Sequence, residues 1–460
     1  GLSNFATGLG AQVETVMAYN GPTTSKLKGI TTAGRVYDCT AGGAVGAAEL
    51  TGLTNGRWQY ANFTTPGGSY LCMVNGTDLY EVYDGATWNV DGSGPPYNIT
   101  GVTSSTLIGI NVFKNRLWFV QVGSLKAWYL PVNSIGGAAQ SLDMSSLCQL
   151  GGSLQAMGTW TIDAGYGVDD YAVFITSNGE VLVWRMTDPT DPNSIFLVGV
   201  WRIGSPVGRR CLYKYIGDLL VISQDGILPL AKALQSSRTN PRVALTDKIQ
   251  YAMSQAVTAY GGNFGWQLVH FPKQNQLYLN VPVSVGNQQQ YLMNTISGAW
   301  CNFTGWNANC FEIFNDNLYF GGNGMVCKAW DTNADAGQTI NAIGLQAFAY
   351  YGAKTNLKRV SMMRPTLYTN GTPMVFANIN YDFDLVNSTA PISITPTTYA
   401  TWDSGVWDTA IWGGDVSISS EWQGTTGLGY AIAPRLNAAA NGVQVQWVST
   451  DMVMESGAIL

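Results

Sequence analysis

The sequence predicts an all-β protein: a six-bladed β-propeller-like platform, a C-terminal β-sandwich-like domain and one short helix near residues 246–258. Three observations predict this class: a composition suited to many short strands, a recurring turn-and-strand unit, and a change of pattern after about residue 340. The predicted domains are residues 1–340, the propeller with an N-terminal segment and inserted loops, and residues 341–460, the sandwich.

The composition favours short strands joined by tight turns. The 460 residues include 54 glycines, 23 tyrosines and 16 tryptophans, and 46% are apolar. Only 11% are charged, against about a quarter in ordinary globular proteins. The net charge of −6 argues against binding nucleic acid through its phosphates, which needs a basic face. An acidic chain can still surround DNA that passes through it without specific binding, because repulsion prevents adhesion.

A turn followed by an apolar, aromatic-rich strand recurs six times. The anchor residues of these units lie 38 to 64 residues apart, and they are Leu79, Leu117, Val181, Leu219, Leu277 and Leu318. Asn-Gly and Asp-Gly pairs in several units supply the positive φ angles that two-residue hairpins require. Four-stranded repeats of about 40 residues are typical of propeller blades, and the longer spacings indicate blades with loop insertions. The six units therefore predict six blades.

One segment departs from the strand pattern and predicts a helix near residues 246–258. Thr246 is the predicted N-cap, and residues 261–262, both glycine, provide the stop. The apolar residues at helical spacing are Ile249, Met253, Ala256 and Val257.

The region after residue 341 predicts a separate sandwich-like domain. Residues 375–384 and 442–448 alternate between apolar and polar side chains, as half-buried strands do. Between them lie Trp402, Trp407 and Trp412. Spaced tryptophans can stack on sugars or anchor an interface, but packing in the core of a small β-domain is the favoured interpretation.

The sequence contains no recognisable catalytic, cofactor or metal motif. The seven cysteines include no C-x-x-C pair, which predicts unpaired, mostly buried thiols and no zinc site. His270 is the only histidine and lies in a strand-like run, where a packed imidazole is favoured. Acidic pairs such as Asp169 with Asp170, or Asp403 with Asp408, are better explained as turn-capping or surface groups. No apolar run approaches the roughly 18 residues that span a bilayer, so we expect no membrane insertion.

The densest group of basic residues predicts a protein contact. It comprises Lys354, Lys358, Arg359 and Arg364. Four positive charges in an acidic protein favour a solvated face or a subunit salt-bridge surface over a phosphate site. We therefore interpret them as a candidate contact with another subunit or with an adaptor protein.

Several segments of the sequence are similar to segments of one known protein family. Residues 357–365, 371–373 and 380–384 resemble the C-terminal part of podovirus tail proteins, and the Trp-Asp pairs at Trp402 and Trp407 recur beside them. Residues 246–249 resemble the helix-bearing segment of the packaged-DNA stabilisation, or tail hub and nozzle, group. The resemblance covers about half of the chain in scattered patches, and the N-terminal region shows none.

The resemblance implies a non-enzymatic structural subunit of the virion tail, assembled in the cytoplasm of the host bacterium. Such a subunit forms a homo-oligomer, usually a hexamer, below the portal and its head-to-tail adaptor ring, and contacts tail fibre or tail needle proteins. The channel retains the packaged genome and passes it during ejection. The family offers no catalytic residues and no cofactor to transfer to this chain.

Two other functions remain open. A glycan-binding or glycoside-hydrolysing β-propeller would share the aromatic residues and the low charge, and would be a monomer or dimer with a pocket of tryptophan and aspartate side chains. A phage receptor-binding tail protein would more often be a trimer. Solution mass discriminates among these alternatives, because a hexameric ring is expected only for the tail hub.

Overall fold

The computed structural model describes residues 1–163, 168–235, 243–352, 354–387, 391–392, 394, 406–408 and 417–457. The chain divides into two compact units. One is Asn4–Lys328, and the other combines Gly1–Ser3 with Ala329–Leu460. The division lies N-terminal to the boundary predicted after residue 340.

Strands β1 to β28 form the first unit and its borders. In chain order they are β1 (Leu2–Asn20), β2 (Ser25–Thr31), β3 (Val36–Asp38), β4 (Gly43–Ala44), β5 (Gln59–Thr65), β6 (Gly68–Val74), β7 (Glu81–Tyr83), β8 (Trp88–Val90), β9 (Ile99–Thr100), β10 (Leu107–Phe113), β11 (Arg116–Gln121), β12 (Lys126–Tyr129), β13 (Gly137–Ala138), β14 (Gln140–Asp143), β15 (Leu154–Asp163), β16 (Val168–Thr176), β17 (Glu180–Met186), β18 (Ile195–Arg202), β19 (Leu212–Tyr215), β20 (Asp218–Ser223), β21 (Gly226–Pro229), β22 (Gln267–Phe271), β23 (Gln276–Ser284), β24 (Asn287–Asn294), β25 (Trp300–Thr304), β26 (Cys310–Phe314), β27 (Asn317–Gly321) and β28 (Asn323–Ala329).

These strands build a β-propeller. Five sheets have the orders β5-β6-β7-β8, β10-β11-β12-β14, β15-β16-β17-β18, β19-β20-β21 and β22-β23-β24-β25. A sixth sheet, β26-β27-β28-β1-β2-β3, contains two blades because both share the long strand β1. Residues 13–20 of β1 pair with β2, and earlier residues lie beside β28. The first strand of every blade contributes to the wall of one central cavity, as expected when blades surround a common axis.

The all-β propeller class is confirmed, and the six sequence units fall in six different blades. The anchors at 117, 181, 219, 277 and 318 lie in β11, β17, β20, β23 and β27, and the anchor at 79 lies two residues before the start of β7. The described strands contain one blade more than these units, formed by the second half of β1 with β2 and β3. The sequence units omit it because β2 lacks the leucine-aromatic run and contains the buried Lys28 instead.

The first half of β1 closes the ring of blades. Its Ala6 and Leu9 are 0% and 2% exposed and pack in one core with Val326 of β28 and Cys39. This core joins residues more than 300 positions apart in the sequence. The final blade therefore takes its last strand from the start of the chain, and the closed ring removes an open sheet edge.

The predicted helix is present, but its start differs from the prediction. A 3-10 turn at Asp247–Ile249 leads into the helix α2 (Gln250–Tyr260), which is followed by Gly261. Thr246 makes no side-chain cap; its hydroxyl accepts a hydrogen bond from the backbone N–H of Ile227 at 3.2 Å. The other helices in the described part of the chain are α1 (Leu230–Ala233) and the 3-10 turns Ser104–Thr106, Pro192–Ser194 and Pro272–Gln274.

The second unit is a β-sandwich, as predicted. Its strands are β29 (Ile340–Leu345), β30 (Lys358–Thr369), β31 (Met374–Tyr381), β32 (Pro391–Ile392), β33 (Ser417–Ser420), β34 (Gln423–Gly424), β35 (Ile432–Ala440) and β36 (Val445–Ser456). One sheet has the order β29-β35-β31-β32, and in the other β30 pairs with β33, β34 and β36. Leu367 and Val360 of the second sheet pack against Val375, Leu436 and Ile432 of the first. Core packing of the three tryptophans is wrong for Trp407, which is 69% exposed, and Trp402 and Trp412 lie outside the described residues.

Thiol burial leads to a testable expectation about cysteine reactivity. All seven cysteines are free thiols; Cys301 is exposed, Cys148 is partly buried and the other five are buried. Burial raises the pKa of Cys39, Cys72, Cys211 and Cys327 to about 12. Burial also raises the pKa of Cys301 and Cys148, so accessibility decides the order, and we expect one fast equivalent with Ellman's reagent, a slower second, and five that require denaturant. The Cys301→Ser variant should lose only the fast phase, and fast reaction of a buried thiol would contradict this packing.

Candidate functional site

The central cavity of the propeller has a volume of about 530 Å³. It is lined by the innermost strands of all the blades, including Val16 of β1, Tyr60 of β5 and Asn111 of β10. The amide side chains of its wall are Gln59, Asn111, Gln155 and Gln267. The wall is therefore mixed, with amide groups among apolar side chains, and several of these amides form hydrogen bonds with the backbone of neighbouring strands. Gln267, for example, exchanges two 2.9 Å hydrogen bonds with the backbone of Phe311.

Tyr60 and Glu312 form a hydrogen bond across the cavity wall. The Tyr60 hydroxyl donates to the Glu312 carboxylate, and the two residues belong to different blades. Burial raises the pKa of Glu312 to about 7, although the hydrogen bond from Tyr60 and the positive charge of Arg210 oppose the rise. Burial also raises the pKa of Tyr60 well above its ordinary value. Glu312 is therefore an acid whose protonation changes near neutral pH.

Arginine side chains gather at the same wall. Arg210 donates to the Thr15 hydroxyl at 2.8 Å and to the Trp58 carbonyl at 3.0 Å. Arg209 donates to the Asn75 carbonyl at 2.7 Å. Burial lowers the pKa of Arg209, and the positive charge of Arg57 lowers it further. These arginines connect the segment before β19 to β1, to the residue before β5 and to the turn after β6, and they leave positive charge at the cavity.

The four predicted basic contact residues do not form one surface cluster. Lys358 is 1% exposed, and its ammonium donates to the carbonyls of Asn356 and Tyr430. Arg364 forms an ion pair with Asp451 at 2.6 Å and lies over the Trp422 ring.

The two other basic residues point away from the core. Lys354 lies over the Tyr350 ring at 5.3 Å, and Arg359 is exposed on β30 beside the buried Lys358. The subunit or adaptor contact stays a prediction, and only the three side chains outside the core are available for it.

His270 is a packed ring, as the sequence interpretation favoured. It lies at the C-terminal part of β22 and meets Tyr215 edge to face, with ring centroids 5.0 Å apart. Burial lowers its pKa. Within the described ranges, no group of three His, Cys, Asp or Glu side chains could hold a metal ion. No helix there is both long enough and apolar enough to cross a membrane.

Strand β18 is an exposed apolar edge. It is the outermost strand of its blade and pairs with β17 on one side. Phe196 is 55% exposed and Val198 is 51% exposed, and the neighbouring Leu197 and Val200 are also exposed. Edge strands with open hydrogen-bonding groups and apolar side chains are surfaces that other strands can join.

A second surface feature is a groove beside helix α2. Its aromatic side chains are Tyr251, Tyr260 and Tyr291, and Gln255 and Gln289 supply amides. The residues that line it carry no formal charge. Tyr251 is 77% exposed, and its hydroxyl accepts a hydrogen bond from Gln255.

Sequence reasoning missed the cavity residues. Arg209, Arg210 and Glu312 stand in no motif, and the fold brings them to one wall from separate blades. The one local signal was the adjacent arginine pair at 209–210, which in an acidic chain marks an unusual concentration of positive charge.

Comparisons with known proteins add no family. No family model and no curated protein matches the chain. Among solved structures, BBS1N in complex with ARL6DN is similar at 10% identity and a TM-score of 0.42, over 70% of this chain and 92% of that chain. The Cps50 (Swd1) β-propeller domain of Myceliophteria thermophila is similar at 12% identity and a TM-score of 0.42. The match covers 71% of this chain and 99% of that chain. YCF48 from Cyanidioschyzon merolae is similar at 12% identity and a TM-score of 0.35. The match covers 69% of this chain and 95% of that chain.

Proposed function

We propose that this protein is a non-enzymatic structural subunit of a phage tail hub or nozzle. In this role it forms a homo-oligomer, expected to be a hexamer, below the portal and adaptor ring in the virion tail, and it contacts tail fibre or needle proteins. The oligomer retains the genome and then passes it, without specific DNA binding. The sequence resemblance described above suggests the phage tail, and the exposed apolar edge strand β18 supports assembly.

The proposal rests on the edge strand β18, because exposed apolar side chains on an open edge do not stabilise a propeller that stays monomeric. Phe196 and Val198 expose large apolar side chains on a strand whose outer backbone groups can accept another strand. Burying such groups in a subunit interface removes apolar surface from water and satisfies the open edge. The net charge of −6 is consistent with DNA that passes without adhering.

Light scattering of the purified chain tests assembly. A chain of 49.5 kDa should give a particle of about 300 kDa if six copies close into a ring. We expect the Phe196→Lys and Val198→Lys variants to raise the concentration needed for assembly by about tenfold or more, since each buries a charge at an apolar contact. Val285→Lys is the matched control, because Val285 is 90% exposed in a separate turn. Unchanged assembly of both edge variants would exclude β18 as the interface.

A glycan-binding function is the second candidate, favoured by the groove beside α2. Tyrosine rings with neutral amide and hydroxyl groups suit a saccharide, which presents both apolar ring faces and hydroxyls. A glycan array with the wild type and a Tyr251→Ala variant tests it. Binding that disappears in the variant, from a protein that remains a monomer, would favour this function over the tail hub.

A further inference from the structure

The central cavity holds more positive than negative charge. Arg209, Arg210 and Lys214 line it, and Glu312 is the acidic residue among its lining side chains. Within the described part of the chain, neither Arg209 nor Arg210 forms an ion pair with a carboxylate. Their hydrogen bonds go to carbonyl and hydroxyl oxygens, which carry no formal charge to balance that of the guanidinium groups.

The guanidinium groups are concentrated in one place. The central carbons of Arg57 and Arg210 lie 5.2 and 4.9 Å from the centroid of the same ring, Phe264. Arg57 is paired with Glu14 at 3.0 Å, which neutralises one of the charges. Arg209 lies close enough to Arg57 for the two like charges to interact. The positive charges at this wall therefore outnumber the carboxylates that the protein places beside them.

A hydrogen-bond donor in the same wall also lacks a protein acceptor. The Nε2 group of Gln59, which lines the cavity, is buried and has no hydrogen-bond partner. A buried N–H group without an acceptor costs about 1–3 kcal/mol, so native structures normally supply one. Because this nitrogen is shielded from solvent, an oxygen in the cavity reaches it only if the Gln59 side chain rotates.

We propose that the central cavity of the propeller binds a small oxyanion of the sulfate, phosphate or carboxylate class. Guanidinium groups present planar sets of N–H donors that match such oxyanions, and Lys214 adds a point charge. The volume of about 530 Å³ is sufficient for a small ligand. This inference is independent of the proposed assembly, because the cavity belongs to a single propeller.

Calorimetric titration of the full chain with sulfate tests the site. Sulfate is the primary probe because its charge does not change between about pH 6 and pH 8, where the affinity is compared. We expect saturable binding at one site, weakened about tenfold or more by Arg209→Gln and by a smaller factor by Lys214→Gln. Lys273→Gln is the matched control, since Lys273 is exposed and lies outside the cavity.

Two results of these titrations would overturn the proposed anion site. Wild-type protein that binds neither sulfate, phosphate nor citrate saturably would overturn the proposal, and so would wild-type affinity in both cavity variants. If circular dichroism shows that Arg209→Gln is unfolded, the result with Lys214→Gln decides, because Lys214 is exposed at its own strand and its removal leaves the arginine hydrogen bonds intact.

The affinity should also depend on pH through Glu312. The groups that face this carboxyl are Tyr60, Arg210, Tyr213 and Cys310. Near pH 6 Glu312 is mostly neutral, and near pH 8 it is mostly ionised and repels an anion. Sulfate should therefore bind several-fold more weakly at about pH 8 than at about pH 6. The Glu312→Gln variant should bind sulfate with equal affinity at about pH 6 and about pH 8. If the affinity of this variant still depends on pH, a group other than Glu312 causes the dependence.

Discussion

Replacing Leu9 with alanine is expected to lower the free energy of unfolding of the propeller by about 3 kcal/mol. Leu9 is 2% exposed in the first half of β1, and it packs with Ala6, Val326 and Cys39 where the ring of blades closes. The substitution removes buried apolar contacts and leaves a cavity that the surrounding sheets cannot fill completely. The loss is large because this core joins the beginning of the chain to the last blade.

Urea denaturation followed by tryptophan fluorescence measures this effect as a shift of the midpoint. The Asn20→Ala variant is the matched control, because Asn20 is exposed at the far end of the same strand. Its free energy of unfolding should remain within about 0.5 kcal/mol of the wild-type value. Equal stability of Leu9→Ala and Asn20→Ala would contradict closure of the ring through β1.

The propeller is expected to lose stability as the pH rises from about 5 to about 8. Burial raises the pKa of both Glu312 and Glu81 to about 7 in the folded chain, above the ordinary value of 4.5. The folded state therefore binds more protons than the unfolded state in this window. The stabilisation is fully present below about pH 4.5 and is lost as the pH passes through about 7. A shift of this size corresponds to at most about 3 kcal/mol for each group.

The Glu312→Gln variant tests the assignment, because an amide keeps the shape of the side chain and does not titrate. Its unfolding free energy should fall less steeply with pH than that of the wild type, with the remaining slope arising from Glu81. Glu455→Gln serves as the control, since Glu455 is exposed on β36. A wild-type stability that rises over this window, or an identical slope in Glu312→Gln, would disprove the assignment.

The local chemistry of the sequence predicted the propeller class and six of its blades. The turns that precede Leu117 and Leu318 contain Asn115 and Asp316, which adopt positive φ angles of 55° and 57°. Positive φ angles at such positions favour two-residue hairpin turns. The first blade lacked this signal because its strand β2 has no leucine-aromatic run and buries Lys28 between two carboxylates. Ring closure depends on pairing across the whole chain, which local patterns do not encode.

The helix and the cavity show the same difference between local and distant effects. The spacing of Met253 and Ala256 predicted α2, because both face the core. The role of Thr246 was not predictable, because its hydroxyl binds Ile227 across the fold rather than its own helix. Arg210 and Glu312 come together at the cavity wall only when their blades have folded side by side, so no spacing in the sequence could predict the cavity site.

Negative-stain electron microscopy of the assembled particle tests the proposed function most directly. The tail hub account predicts ring-shaped particles with six-fold rotational symmetry and a central opening, formed from copies of a 49.5 kDa chain. Edge variants of β18 should yield fewer rings at the same concentration. Single, separate propellers at every concentration, from protein that binds a sugar through the groove beside α2, would contradict the account.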